Sequence, residues 1–202
     1  MKPINLQNAE FVTSAATPEG ILADGVPTVV FAGRSNAGKS SVINKLLNRN
    51  KLAFVSKKPG KTIHINYFLI DKSVYLADLP GYGFARVSDA EKRRWATLID
   101  TFLNSAKNIR IAVVIVDIRH EPTEDDLLMG EFFAAKDIPY IVLCNKCDKL
   151  RPREISPAVE SMREAFAEFA PLECIAFSAL NGTGKDQLIP YLFSENKESD
   201  DQ

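Results

Sequence analysis

Long hydrophobic runs are missing from this sequence, and that absence is the first constraint on what it encodes. No stretch approaches the roughly 20 apolar residues that cross a bilayer, so no membrane association is expected. The first ten residues include Lys2, Asn5, Gln7, Asn8 and Glu10 and form no apolar targeting core, which makes the cytoplasm the expected location. Cysteine is scarce. Cys144, Cys147 and Cys174 are an odd number, form no disulfide framework and suggest a reducing compartment. Cys144 and Cys147 make a C-x-x-C, but no second ligand pair follows at zinc-site spacing. The only two histidines, His64 and His120, lack metal-ligand spacing and are read as structural or surface residues. An excess of one charge is lacking too: 25 basic and 26 acidic side chains leave a net −1. Any contact with nucleic acid must therefore use a local patch.

What is present is an alternation of apolar runs and helical periodicities, the pattern of a helix-covered, largely parallel sheet. Strands are expected at 28–32, 111–116, 140–143 and 172–177. Two more, 63–70 and 74–77, are joined tightly at Asp71-Lys72-Ser73 and make one antiparallel pair. A helix over 39–48 places Val42, Ile43, Leu46 and Leu47 on one face. Ser88-x-x-Glu91 reads as a capping box for a helix carrying Trp95, Leu98, Ile99, Phe102, Leu103 and Ala106, so Trp95 is assigned to the core. Thr123-x-x-Asp126 caps a helix with Leu127, Leu128, Phe132 and Phe133. Ser156-Pro157 reads as the start of another, with Pro at its first position, and Lys185–Phe193 as the last. The expectation is an α/β fold of three layers: a six-stranded, mostly parallel sheet with one antiparallel strand and about five flanking helices.

The run Gly33-Arg34-Ser35-Asn36-Ala37-Gly38-Lys39-Ser40, continued by Ser41, follows a strand and opens a helix, the context of a phosphate-binding P-loop. Its backbone N–H groups lack intrahelical acceptors and can converge on phosphate oxygens. Lys39 brings a point charge to the β- and γ-phosphates, and the Ser40 hydroxyl is a hard ligand for Mg²⁺. Asp78 ends an apolar run and begins Asp78-Leu79-Pro80-Gly81, whose carboxylate faces the metal and whose Gly81 N–H can reach a γ-phosphate oxygen. Thr62, in Pro59-Gly60-Lys61-Thr62, can place its hydroxyl on Mg²⁺ and its N–H on the γ-phosphate. That contact exists only with the triphosphate and so makes a switch. Lys39, Thr62 and Gly81 are the expected catalytic set, and Ser40, Thr62 and Asp78 the expected metal set.

The base is read elsewhere. In Asn145-Lys146-Cys147-Asp148, the Asp148 carboxylate accepts two parallel donors, which guanine supplies and adenine does not. Asn145 ties this loop to the P-loop and Lys146 covers the base. Phe177 closes the last strand and Ser178-Ala179-Leu180-Asn181-Gly182 follows it, where a backbone contact to the guanine oxygen fits. The expected ligands are GTP and GDP.

On these motifs, with Phe31-Ala32 leading the P-loop, Tyr82-Gly83-Phe84-Ala85 after Gly81, and Asp117-Ile118-Arg119-His120 followed by Pro122, the chain resembles the EngB (YihA/YsxC) family of ribosome-biogenesis GTP-binding proteins. Asn145 departs from the Thr more frequent in that family and matches the wider GTPase form. The resemblance implies a P-loop GTPase fold and a nucleotide-dependent role in assembling the large ribosomal subunit, with a link to cell division. A precursor particle of that subunit, through rRNA and ribosomal protein, is the implied partner. A regulatory GTPase unrelated to the ribosome, or a binding module with incidental hydrolysis, is the alternative.

Residues 26–193 form the expected GTP-binding domain, 1–25 an extension packing on it, and 194–202 a frayed acidic tail. A monomer is expected. Basic clusters available to RNA are Lys57, Lys58 and Lys61; Arg93 and Arg94; and Lys149, Arg151 and Arg153. Where Ras-like enzymes carry a water-orienting Gln, this chain has Tyr82, so slow intrinsic hydrolysis is expected. Help would come from a partner or from K⁺ beside the phosphates, ligated by Asn36.

Overall fold

The computed structural model describes residues 4–49, 52–53, 64–83, 88–105 and 108–193. Its elements run β1 (Ala9–Ala15), β2 (Thr28–Gly33), α1 (Lys39–Leu46), β3 (Ile65–Ile70), β4 (Val74–Asp78), α2 (Asp89–Ser105), β5 (Ile109–Asp117), α3 (Glu124–Ala135), β6 (Tyr140–Asn145), α4 (Pro152–Ala165), β7 (Glu173–Ala176) and α5 (Lys185–Phe193). The strands make one sheet in the order β1-β3-β4-β2-β5-β6-β7. β3 runs against both its neighbours, while β4, β2, β5, β6 and β7 are parallel.

Successive strand side chains point to opposite faces, so fully buried strands feed two cores. Val30 and Ala32 of β2 join Leu98 and Phe102 of α2, Phe133 of α3 and Phe166 after α4. Val29 and Phe31 join Val42, Ile43 and Leu46 of α1 and Leu188 and Leu192 of α5. This is the expected three-layer α/β fold, with five α-helices among the described residues. Asp71 and Lys72 lie at φ 48° and 55°, the consecutive left-handed pair that matches hairpin twist between β3 and β4.

The structure departs from the sequence expectation in several places. Among the described residues the sheet has seven strands: Ala9–Ala15, set apart with residues 1–25 as an extension, pairs along β3. Its alternation is broken by a register shift between Phe11 and Thr13, and Phe11 and Val12 stay exposed, so no period of two is visible. α4 begins at Pro152, not at Pro157. Arg151 is its N-cap, the Glu154 carboxylate accepts the Arg151 N–H at 2.9 Å, and Pro157 sits inside the helix. Leu128 is exposed on α3, and Met129, Gly130 and Phe133 take the buried face. Ile63, the first residue of one expected strand, and Ala106 of the second expected helix lie outside the described residues.

Candidate functional site

The parallel strands end on one side of the sheet, and the loops leaving β2, β4, β5, β6 and β7 gather there, where open α/β sheets bind ligands. Gly33 ends β2. The P-loop then turns through Asn36 (φ 69°) and Gly38 (φ 100°) into α1. The Ala37 N–H donates to the Arg34 carbonyl at 3.0 Å, and Val42 N–H returns to the Gly38 carbonyl at 2.9 Å. The N–H groups of Lys39, Ser40 and Ser41 open α1, where a helix offers them no internal acceptor.

Lys39 Nζ donates directly to the Asp78 carboxylate at the end of β4, and both side chains are largely buried. A buried ammonium and carboxylate in contact satisfy each other's charge. Ser40, at the start of α1, adds a hydroxyl to the hard oxygen of Asp78, a donor set of the kind Mg²⁺ takes together with phosphate oxygens. Pro59, Gly60, Lys61 and Thr62 lie outside the described residues, as do Lys57 and Lys58.

Asn145, buried at the end of β6, donates Nδ2–H to the Ala37 carbonyl at 2.8 Å and accepts the Ala179 N–H at 3.2 Å. One side chain thereby joins the phosphate loop, the base loop and the segment after β7. Lys146 adopts φ 69° and sends Nζ to the Asn36 carbonyl (2.7 Å) and to Asp117 Oδ2 (2.8 Å). Ser178 Oγ donates to Asp148 Oδ1 at 2.6 Å, and accepts the N–H groups of Leu180 and Asn181. That hydrogen bond from Ser178 is the main cause holding the Asp148 carboxyl below its ordinary range, so it stays an ionised acceptor. Phe177 is buried, its carbonyl accepting the Cys147 N–H at 3.0 Å.

Two residues given no role in the sequence reading belong to this site. Asp117, quoted there only within the family pattern, closes β5. Its carboxylate accepts Arg119 Nε (2.8 Å) and Nη2 (2.7 Å) besides Lys146. Burial works to raise its pKa, but the hydrogen bonds from Arg119 and Lys146 outweigh burial and hold it well below the carboxylate range. No spacing signal could reveal it, because its partner Lys146 lies in the next parallel strand's loop. Tyr82 is the second. It is 6% exposed, and its hydroxyl donates to Asp126 Oδ1 at 3.0 Å. Burial first, and then the Asp126 charge, push its pKa well above the ordinary phenol value, so the hydroxyl is a neutral donor.

The family model described as "50S ribosome-binding GTPase" matches residues 28–146. A probable GTP-binding protein EngB of Geobacillus kaustophilus is 45% identical over 197 residues, which is 95% of this chain and all of the relative. The chain belongs to the EngB family of GTP-binding proteins. A Clostridium perfringens EngB protein is 41% identical over 192 residues, covering 95% of this chain and 98% of its own. The crystal structure of a probable GTP-binding protein engB superposes with a TM-score of 0.65 at 28% identity, over 82% of this chain and 96% of that one. Era in complex with MgGDPNP and nucleotides 1506–1542 of 16S ribosomal RNA shares the fold, at a TM-score of 0.62 and 23% identity over 85% of this chain and 58% of that one. As a P-loop GTPase of the EngB family the chain binds GTP and GDP. No helix among its described residues is long and apolar enough to cross a membrane.

Proposed function

We propose that this protein is a slow GTP-hydrolysing switch whose GTP state controls its attachment to a precursor of the large ribosomal subunit. In this reading residues 26–193 form the GTP-binding unit, working in the cytoplasm. The P-loop from Gly33 to Ser41 holds the phosphates through the N–H groups that open α1 and through Lys39, Asp148 accepts the guanine N1–H and 2-amino group, and Lys146 lies over the base. The guanine oxygen would take up the Ala179 N–H that Asn145 Oδ1 accepts here, with Phe177 and Ser178 shaping the turn that presents it. Mg²⁺ would be held by Ser40, Asp78 and Thr62, and would supply charge neutralisation to the phosphates. Asn36, exposed and left-handed in the P-loop, is the residue offered to K⁺, a charge that would stand in for an arginine finger.

The observation that carries the slow rate is Tyr82. The position that orients water in Ras-like enzymes is here turned into the core and bonded to Asp126, so it has no group to offer a nucleophile. Hydrolysis then waits on a partner or an ion, and the complex made with GTP is the working state. The exposed basic residues Arg93, Arg94, Lys149, Arg151 and Arg153 are the surface offered to rRNA phosphates. The family model's description, "50S ribosome-binding GTPase", supports the ribosomal side of the reading.

Co-sedimentation with ribosomal subunits in a non-hydrolysable GTP analogue and in GDP is the test. Binding to large-subunit particles in one state only is expected, and equal binding or none removes the ribosomal role. Single-turnover hydrolysis in KCl against NaCl at equal ionic strength tests the ion: equal rates remove K⁺.

A further inference from the structure

After β4, the described segment from Leu79 to Gly83 has no helix to fix it, and its backbone ties to β2 and the P-loop are the Leu79 N–H on the Phe31 carbonyl at 2.9 Å and a bridge between Arg34 and Tyr82. Side chains from two helices fix the rest. Trp95 of α2, the only tryptophan in the chain, donates its indole N–H to the Pro80 carbonyl at 3.1 Å. The Tyr82 hydroxyl reaches Asp126 of α3, whose other oxygen accepts both the Thr123 N–H (3.0 Å) and its hydroxyl (2.7 Å). The Ser35 N–H of the P-loop holds the Tyr82 carbonyl at 2.9 Å. The rings of Tyr82 and Trp95 meet edge-on with centroids 6.1 Å apart, so the two anchors also brace each other.

Gly81 sits between these anchors. The Pro80 carbonyl and the Gly81 N–H belong to one planar trans peptide unit, and no described peptide is cis. Within such a unit the carbonyl and the N–H point in opposite directions. Pinning the carbonyl on Trp95 therefore aims the N–H away from α2. Gly81 also lies against the P-loop: a Cβ there would stand 3.5 Å from the Gly33 carbonyl and from the Ser35 nitrogen.

We infer that Trp95 and Tyr82 are positioning residues that hold the Gly81 N–H toward the γ-phosphate. The inference rests on the proposed contact between Gly81 and the γ-phosphate. It makes Trp95 more than the core residue its spacing suggests, and it gives Tyr82 a task other than the one missing at its position. The coupling runs both ways: a γ-phosphate that pulls on Gly81 pulls on Pro80 and hence on the indole.

The test is the ratio of GTP-analogue to GDP affinity in Trp95→Phe and Tyr82→Phe. Each variant keeps an aromatic ring and deletes one donor. Loss of one hydrogen bond's worth of positioning lowers GTP-analogue affinity roughly threefold to tenfold. GDP affinity is expected to stay unchanged, and single-turnover hydrolysis to slow. A purely structural role would lower the melting temperature and weaken both nucleotides together, and that result overturns the inference. Should Tyr82→Phe fold poorly, Trp95→Phe alone decides, since it leaves Asp126 paired. Gly81→Pro, which removes the N–H itself, separates this inference from the reading beneath it. If that variant alone lowers the ratio, the γ-phosphate contact stands and the positioning role is overturned. If no variant lowers it, the contact and the positioning role fall together.

Discussion

At the scale of single residues, the site depends on backbone shapes that few side chains permit. Gly38 holds φ 100°, and a Cβ on it would run into the Asn145 amide nitrogen. Gly38→Ala therefore combines left-handed strain with displacement of the side chain that bridges three loops. GDP affinity measured by calorimetry should fall at least about tenfold, and the melting temperature of the nucleotide-free protein should fall only modestly. An affinity left unchanged would mean the Asn145 bridge is dispensable. The sequence reading tied Asn145 to the P-loop, which is one arm of this bridge, and did not reach the arm to Ala179. It showed Tyr82 only as a missing amide. The destination of that side chain depends on Asp126, 44 positions away, and on the room left between α2 and α3.

Elements were legible where a period ran unbroken and obscure where tertiary contacts replaced it. α1 shows both. Its apolar face was readable, but Asn44 on the same helix was not. Asn44 is buried and makes a two-way amide pair with Ala53, donating to the carbonyl and accepting the N–H at 2.9 Å each. This pair fastens the segment after α1 back onto the helix that opens at the phosphates. Asn44→Ala leaves two buried backbone groups without partners, and roughly 2–4 kcal/mol of stability should be lost. Urea melts check the size, and competition between GDP and ADP should show guanine preference intact. Likewise Pro157 looked like a helix start because Pro favours the first turn. The actual start uses Pro152, and the helix carries Pro157 at the cost of one backbone bond.

For the molecule as a whole, the α/β layering was readable from the apolar runs, since fully buried parallel strands need helices on both faces. The sequence did not predict how acid would act on it. Asp117 is ionised in the folded state with its pKa depressed by Arg119 and Lys146, against an ordinary value of 3.8. A depressed carboxylate contributes stability that is present above its unfolded value and lost as the pH falls toward its folded one. The stability gap between the nucleotide-free protein and Asp117→Asn should thus be widest near neutrality and close below about pH 4. Denaturation profiles across that range test it; a gap independent of pH would mean the ion pairs contribute nothing. Asp148, lowered by Ser178, adds a contribution of the same sign.

The two margins of the sheet carry one more implication. β7 offers only four residues, and β1 breaks register between Phe11 and Thr13. A neighbouring chain seeking to extend the ladder meets a stub on one side and a kink on the other. Exposed Phe11 and Val12 would otherwise be an adhesive strip, yet Val12 falls in the register break and Phe11 leans edge-on against Phe68. The irregularity that hid β1 from the sequence pattern is thus a safeguard of solubility, and a substitution that straightened it would invite fibre-like self-association before it touched nucleotide chemistry.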